Sequence, residues 1–208
     1  MPDEGKDQHG HVGQSEFLNS LRSNNGIPLD RHTHTDLDQA ERYSHIARWL
    51  ALATIVIGLD QASKLWVLSV FYLNEIYPLT NFLNLTLVFN PGAAFSFLAD
   101  AGGWQKWFFL ALAIAVSLWV INTIRREPNE TKQAAALTLI MGGALGNAID
   151  RVAYGAVVDF LDVYWQYWHW PAFNVADSAI CIGAILLVWD QMTRKPVKQT
   201  SENTGSSA

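Results

Sequence analysis

Two aspartates in the carboxyl-terminal quarter of the chain have the setting best suited to chemistry. Asp159 lies in "YGAVVDFLDVY" and Asp177 in "FNVADSAIC", each beside or inside an apolar stretch, with no Lys or Arg close in sequence to pair it. Two carboxylates that meet cannot both ionise readily, so one keeps its proton. Such a pair can activate water through its ionised member and polarise a peptide carbonyl through its protonated member, which is aspartic-protease chemistry.

Other polar residues have spacings that place them together on helices. Asp60 and Lys64 are four residues apart, and so are Asn147 and Arg151, while Asn174 lies three residues before the second aspartate. Residues three or four apart share one face of a helix. Ionisable side chains within membrane helices usually point inward and mark function. We therefore expect these side chains to converge with the two aspartates near one face of the membrane.

Each of these positions also has a plain structural interpretation. Asp60 and Lys64 can form a pair that only neutralises itself, and Asp150 can anchor a helix end at the membrane interface. Arg151 can pair with Asp150 or extend its charge to lipid headgroups. Asp162 is expected to be solvated.

Other kinds of catalytic site have weaker support. The single cysteine, Cys181, lies in an apolar stretch, excludes an intramolecular disulfide and is expected to be a small buried side chain. The "HTH" sequence at 32–34 lies in a polar segment. His45 is expected at the inner end of the first helix, whereas the two aspartates are expected near the outer face. Metal catalysis therefore has little support in the sequence.

Four apolar stretches must position these residues: Trp49–Leu73, Trp107–Ile124, Ala134–Ile149 and Ala172–Trp189. Each is close to the ~20 residues with which a helix crosses a ~30 Å hydrocarbon layer. The first begins too late and is too long for a secretory signal peptide. The alternative is a soluble protein with buried helices. We predict an all-α membrane protein of four transmembrane helices.

The segments around these spans differ in composition. Residues 1–43 are predicted to be a disordered polar extension, 44–192 the membrane domain, and 193–208 a polar tail. The connector 74–103 is rich in alternating and β-branched residues and predicts a small β-rich segment with a turn at "PG". The aromatic connector 155–171 predicts a partly helical segment on the membrane surface.

Basic residues set the orientation. Residues 65–105 and 152–193 contain no Lys or Arg, whereas the segments before, between and after them do. The positive-inside rule then places both termini in the cytoplasm and the aspartates near the outer face. The formal charge of −5 gives no indication of the basic surface that nucleic-acid binding requires.

Five motifs in order resemble those of the lipoprotein signal peptidase family, also called signal peptidase II. They are "DQASK" at 60–64, "FNPGAAFS" at 89–96, "GGALGNAIDR" at 142–151, "VVDF" at 157–160 and "FNVAD" at 173–177. The resemblance covers about residues 45–192, and the extension of about 43 residues is longer than the usual leader of the family.

The resemblance implies an aspartic endopeptidase of the bacterial inner membrane. It removes signal peptides from prolipoproteins, just before a cysteine that carries diacylglycerol. Its implied partners are these substrates and membrane lipids, globomycin-type peptides block it, and we expect a monomer without metal or cofactor. The catalytic positions that the resemblance implies are Asp159 and Asp177. The implied supporting positions are Asp60, Lys64, Asn90, Gly92, Asn147, Arg151 and Asn174.

Two other functions are compatible with buried charges in a membrane. A small transporter or proton-coupled channel predicts polar groups along the whole depth of the bundle, whereas here the inner levels have little beyond Thr54, Ser117 and Thr138. A structural subunit leaves the convergence of polar residues unexplained.

Overall fold

The computed structural model describes residues 31–92 and 102–194, with side chains from residue 43 onward. The predictions for residues 1–30 and 195–208 lie outside the described residues. So does the part of the β-rich connector from 93 to 101, which includes most of the "PGAAFS" half of one motif.

Four helices account for the four apolar stretches. They are α1 (Arg31–Val70), α2 (Gln105–Arg126), α3 (Thr131–Tyr154) and α4 (Val175–Thr193). The prediction of disorder up to residue 43 is wrong from residue 31 onward, because α1 begins there. Extending a helix costs less than starting one, and the segment "LDQAER" at 37–42 consists largely of good helix formers.

Three segments are long and apolar enough to cross a membrane: Tyr43–Val70, Gln105–Arg126 and Val175–Thr193. The 24-residue helix α3 is long enough, but its glycines and polar residues reduce its hydropathy, and it is not among these candidates in the described part of the chain. The helix predicted at Ala134–Ile149 is therefore present, and its crossing of the membrane stays a prediction.

A four-stranded antiparallel sheet connects the helices. Its strands are β1 (Ile76–Pro78), β2 (Leu83–Asn90), β3 (Val157–Trp165) and β4 (Trp168–His169), in the order β1-β2-β3-β4. The β-rich nature of the first connector is correct for its described part.

The prediction of a partly helical segment at 155–171 is wrong, and its place on the membrane surface stays a prediction. This segment forms β3 and β4, and β3 pairs with β2 from Leu83 to Asn90. Its sequence "VVDFLDVYW" is rich in β-branched and aromatic residues, which favour strands. The aromatic content therefore did not predict the backbone conformation.

The helices pack closely through small residues. A Cβ atom on Gly143 of α3 would overlap the carbonyl oxygen of Ala176, and a Cβ atom on Gly183 of α4 would lie 2.5 Å from the carbonyl oxygen of Ala136. Small residues allow helix backbones to approach in this way. Buried side chains of β2 and β3 pack against Val67 of α1, so the sheet is attached to the helices beside the polar residues described next.

Candidate active site

The sheet and α4 bring the two predicted aspartates to one cleft. Asp159 lies on β3 opposite Val88 of β2, and Asp177 lies in the first turn of α4. Both side chains line a cleft of about 740 Å³. Asp159 is 2% exposed. The predicted convergence is therefore present in the structure.

Asn174 connects the two aspartates. Its side-chain Nδ2 donates to Asp159 Oδ1 at 2.7 Å, and its backbone N–H donates to Asp177 Oδ2 at 3.3 Å. Its Oδ1 accepts the backbone N–H of Asp177 at 2.9 Å, which completes a capping box at the start of α4. A capping box satisfies N–H groups that the first turn of a helix leaves without partners. The residue that starts the helix thus also contacts both carboxylates.

Asn147 and Lys64 support the second aspartate. Asn147 Nδ2 donates to Asp177 Oδ1 at 2.8 Å. Asn147 Oδ1 accepts from Lys64 Nζ at 2.9 Å and from Asn174 Nδ2 at 3.2 Å. Because both donors hold the amide oxygen, the amide nitrogen faces the carboxylate.

Asn90 and Gly92 also line the cleft. Asn90 Nδ2 donates to Asp159 Oδ2 at 3.1 Å, and Asn90 Oδ1 accepts the backbone N–H of Gly92 at 3.0 Å. Both oxygens of Asp159 therefore accept an amide hydrogen bond.

Arg151 lies at the edge of the cleft and is 8% exposed. It donates to the carbonyl oxygens of Gly92 at 2.6 Å and Asn147 at 3.3 Å, and its guanidinium lies 4.4 Å from the ring centroid of Phe109. Its Nε has no hydrogen-bond partner among the described residues. Arg151 is not bound to Asp150, so that structural alternative is wrong.

A buried ion cluster lies next to the aspartates. Lys64 Nζ lies 2.8 Å from Asp60 Oδ2 and 2.8 Å from Asp150 Oδ2. Gln61 Nε2 donates to Asp150 Oδ1 at 3.0 Å and to Asp60 Oδ2 at 3.2 Å. The Asp60–Lys64 pair is therefore part of a larger cluster. The interpretation of Asp150 as an interfacial anchor is wrong, because it is fully buried.

Burial, and after it the nearby charge of Asp177, raise the pKa of Asp159 to about 7 against the lowering effect of the amide hydrogen bonds and of Lys64. Desolvation disfavours a charged carboxylate, and a second negative charge adds to this effect. Asp159 therefore keeps a proton to higher pH than an ordinary carboxyl does.

Some residues of this region were missed or misread from the sequence. Gln61 and Phe109 gave no signal, because an amide and an aromatic ring are common in any helix. Asp162 is buried, accepts from Asn84 Nδ2 at 2.8 Å and lies 2.9 Å from His169 Nδ1, so the expectation that it is solvated is wrong. Its pairing depends on the register of β2 and β3, which the helical interpretation did not contain.

The residues that a transport path would need have local partners. Thr54, Ser117 and Thr138 each donate to the backbone carbonyl four residues earlier. Among residues 43–92 and 102–194, no three His, Cys, Asp or Glu side chains form a group that could hold a metal ion.

Comparisons with known proteins agree with these features. A family model described as signal peptidase (SPase) II matches residues 52–193. The lipoprotein signal peptidase of Polynucleobacter necessarius subsp. necessarius (strain STIR1) is 50% identical over 149 residues, covering 72% of this chain and 91% of the relative. That of Cupriavidus necator (strain ATCC 17699 / DSM 428 / KCTC 22496 / NCIMB 10442 / H16 / Stanier 337) is 53% identical over 146 residues, covering 70% and 83%.

Two solved structures of bacterial membrane enzymes are also similar to this chain. A bacterial membrane enzyme determined by the in meso method at 2.3 Å resolution aligns with a TM-score of 0.64 and 29% identity, covering 78% of this chain and 94% of the other. A second, determined at 1.9 Å, aligns with a TM-score of 0.61 and 28% identity, covering 72% and 95%.

The apolar helices, the sheet and these similarities define a membrane-embedded aspartic peptidase. The chain belongs to the signal peptidase II family. The resemblance that the five motifs indicated is thereby confirmed.

Proposed function

We propose that this peptidase removes signal peptides from diacylglyceryl-modified prolipoproteins, cutting just before the lipidated cysteine, with Asp159 and Asp177 as its catalytic dyad. The observation that carries the dyad is the bridge through Asn174, whose side chain bonds one carboxylate and whose backbone bonds the other. The names of the relatives support the substrate class.

The two carboxylates divide the chemistry between them. Asp177 accepts hydrogen bonds from Asn147 and from the start of α4, where a negative charge is favoured. Asp159 is the member that keeps its proton, in line with its raised pKa. Asp177 takes a proton from water as the water oxygen attacks the peptide carbonyl, and Asp159 gives its proton to the carbonyl oxygen.

The intermediate then collapses with proton movement in the opposite sense. The carbonyl re-forms as the bond to the leaving nitrogen breaks, the hydroxyl proton returns to Asp159, and Asp177 passes its proton to the nitrogen. The dyad ends as it began, so no external acid, base or metal is consumed.

Arg151 is proposed to hold carbonyl groups of the substrate or its lipid. Its Nε is buried without a partner among the described residues, and its plane is fixed over Phe109. A planar guanidinium donates in fixed directions, which a lysine cannot reproduce. We expect Arg151→Lys to slow processing while the protein remains inserted.

The proposed setting is the bacterial inner membrane, with four spans, both termini in the cytoplasm and the cleft near the outer face. The three apolar helices support a membrane location. A signal peptide is itself an apolar helix, and its scissile residues must unwind to expose a carbonyl to the dyad. Membrane lipids surround the bundle, globomycin-type peptides occupy the cleft, and the enzyme acts as a monomer.

The flanking segments are proposed to be dispensable for this chemistry. Residues 1–43 form a polar cytoplasmic extension, 193–208 form a polar cytoplasmic tail, and residues 44–192 form the peptidase domain. Their polar composition supports this division.

The experiment compares Asp159→Asn and Asp177→Asn with Asp190→Asn as the matched control. Asp190 lies on α4 but pairs with Arg194 at 2.7 Å, away from the cleft. Loss of an acid or base should lower the turnover of a lipidated prolipoprotein by about 10³-fold or more, whereas the control should process it normally. Processing is followed by gel shift on purified protein. Substantial turnover by either cleft variant removes that residue from the dyad.

A further inference from the structure

The buried cluster of Lys64, Asp60 and Asp150 reaches the backbone on both sides of the site. All three side chains are at most 2% exposed. Lys64 Nζ has three short contacts, with the two carboxylates and with Asn147 Oδ1. An ammonium group has three N–H donors, so every donor of Lys64 has a partner.

Each carboxylate of this cluster also accepts a backbone N–H. Asp60 Oδ1 accepts from the backbone of Ala176 at 2.9 Å, and Asp150 Oδ2 accepts from the backbone of Val158 at 3.0 Å. Ala176 and Val158 each immediately precede one of the two proposed catalytic aspartates in the sequence. The two peptide segments that carry the dyad are therefore both attached to carboxylates that share one lysine.

We propose that Lys64, Asp60 and Asp150 form a positioning clamp, which fixes the separation of the backbone segments that carry Asp159 and Asp177. The proposal rests on the catalytic dyad proposed above. Lys64 contacts neither aspartate directly, so it acts through Asp60, Asp150 and Asn147. A displacement of 1 Å in a catalytic group is enough to reduce a rate by about 10²-fold.

The close packing around Asp60 supports this role. A Cβ atom on Gly146 would lie 2.6 Å from Asp60 Oδ2, so this position leaves room for the carboxylate between α1 and α3. Gln61 Nε2 holds both carboxylates and the carbonyl oxygen of Gly146 at 3.2 Å. The cluster has two negative charges and one positive charge, and these donors compensate the remaining negative charge.

The test begins with Lys64→Met, with Lys106→Met on α2 as the matched control outside the site. We expect Lys64→Met to lower kcat for a lipidated prolipoprotein by about 10²-fold with KM changed by less than about threefold, because the dyad and not the substrate surface is displaced. Rates are expressed per folded molecule, measured as the monodisperse fraction in detergent. A parental kcat per folded molecule overturns the clamp.

A second variant covers the case in which Lys64→Met does not fold. Lys64→Met combined with Asp150→Asn keeps the net charge of the cluster at the parental value, so we expect it to fold and to remain about 10²-fold slower. Parental turnover by this double variant also overturns the proposal.

Conservative replacements separate positioning from simple stabilisation. Asn at position 60 or 150 keeps an oxygen that can accept the backbone N–H, whereas Ala removes it. We expect Asp150→Asn to be about tenfold more active per folded molecule than Asp150→Ala. Asp60→Asn should likewise be more active than Asp60→Ala. Equal activities for Asn and Ala at both positions contradict the backbone role.

The pH profile gives a further readout. Burial and Asp177 raise the pKa of Asp159, and the charge of Lys64 opposes this rise; Arg151 also faces both aspartates. Lys64→Met should therefore move the profile of kcat/KM to higher pH, whereas the control should not. An unmoved profile contradicts the coupling of the clamp to the dyad.

These outcomes are distinct from failure of the proposed dyad. If Asp159→Asn and Asp177→Asn process substrate, the dyad is wrong whatever the Lys64 variants do. If both are inactive while the Lys64 variants are as active as the parent, only the clamp is wrong.

Discussion

Replacing Asp159 by Asn should change the stability of the protein in opposite directions at low and high pH. The pKa of this carboxyl is raised from 3.8 to about 7 by burial and by the charge of Asp177. Between these two values the folded protein holds a proton that the unfolded chain releases. The stabilisation by this proton is complete below about pH 4 and is lost as the pH rises through 7.

The magnitude follows from the size of this shift. About three pKa units at ~1.4 kcal/mol each correspond to roughly 4 kcal/mol between the two ends of the pH range. The uncharged asparagine avoids this loss at high pH. Its amide nitrogen cannot accept from Asn90 or Asn174, which costs about 1–3 kcal/mol at every pH. The variant should therefore be less stable than the parent by about 1–3 kcal/mol near pH 4 and more stable by about 1–3 kcal/mol above pH 8.

The assay is thermal unfolding in detergent, followed by tryptophan fluorescence from pH 4.5 to 8.5. At about 2–4 °C per kcal/mol, the melting temperature of the variant relative to the parent should rise by roughly 10 °C across this range. Asp190→Asn on α4 serves as the control for loss of a carboxylate elsewhere. A difference between variant and parent that stays constant with pH refutes the raised pKa and the protonated role of Asp159.

Three further predictions concern packing, the amino-terminal extension and metal. Gly143→Ala should lower the free energy of unfolding by about 1–3 kcal/mol, because the added methyl group overlaps the backbone of Ala176. The control Gly58→Ala has open space around it and should raise the free energy of unfolding by about 0.5–1 kcal/mol. Equal melting temperatures of the two variants contradict the close contact of α3 and α4. Deleting residues 2–40 should leave processing of a lipidated substrate near the parental rate, and a loss with normal insertion contradicts the proposed domain division. EDTA should leave activity unchanged, since the described residues contain no group suited to a metal; inhibition that zinc reverses contradicts the dyad mechanism.

The sequence predicted the helices well because their signal is local. Each apolar stretch is a continuous run, and a helix satisfies its backbone within that run. Asn147 was also found, because its spacing of four residues from Arg151 maps onto one face of a helix, and Asn174 was found from its place three residues before Asp177, where it caps α4. These residues converge in the structure as expected.

The errors arose where structure depends on pairing between distant segments. Segment 155–171 reads as an amphipathic aromatic stretch, but β3 forms because β2 is available as its partner about 75 residues earlier. The burial of Asp150 and Asp162 follows from the same kind of distant pairing, with Lys64 and with Asn84. A solvated carboxylate and a paired carboxylate have the same sequence pattern beside an apolar stretch. Only the tertiary contacts distinguish the two cases.

The capping box at Asn174 connects the start of α4 with the geometry of the cleft. The same few hydrogen bonds start α4, a helix apolar enough to cross the membrane, and orient the second aspartate. A chain in which the first turn of α4 has not formed lacks the cap, and with it the bond from Asn174 to Asp159. In the proposed mechanism, hydrolysis therefore requires the same hydrogen bonds that start the last helix.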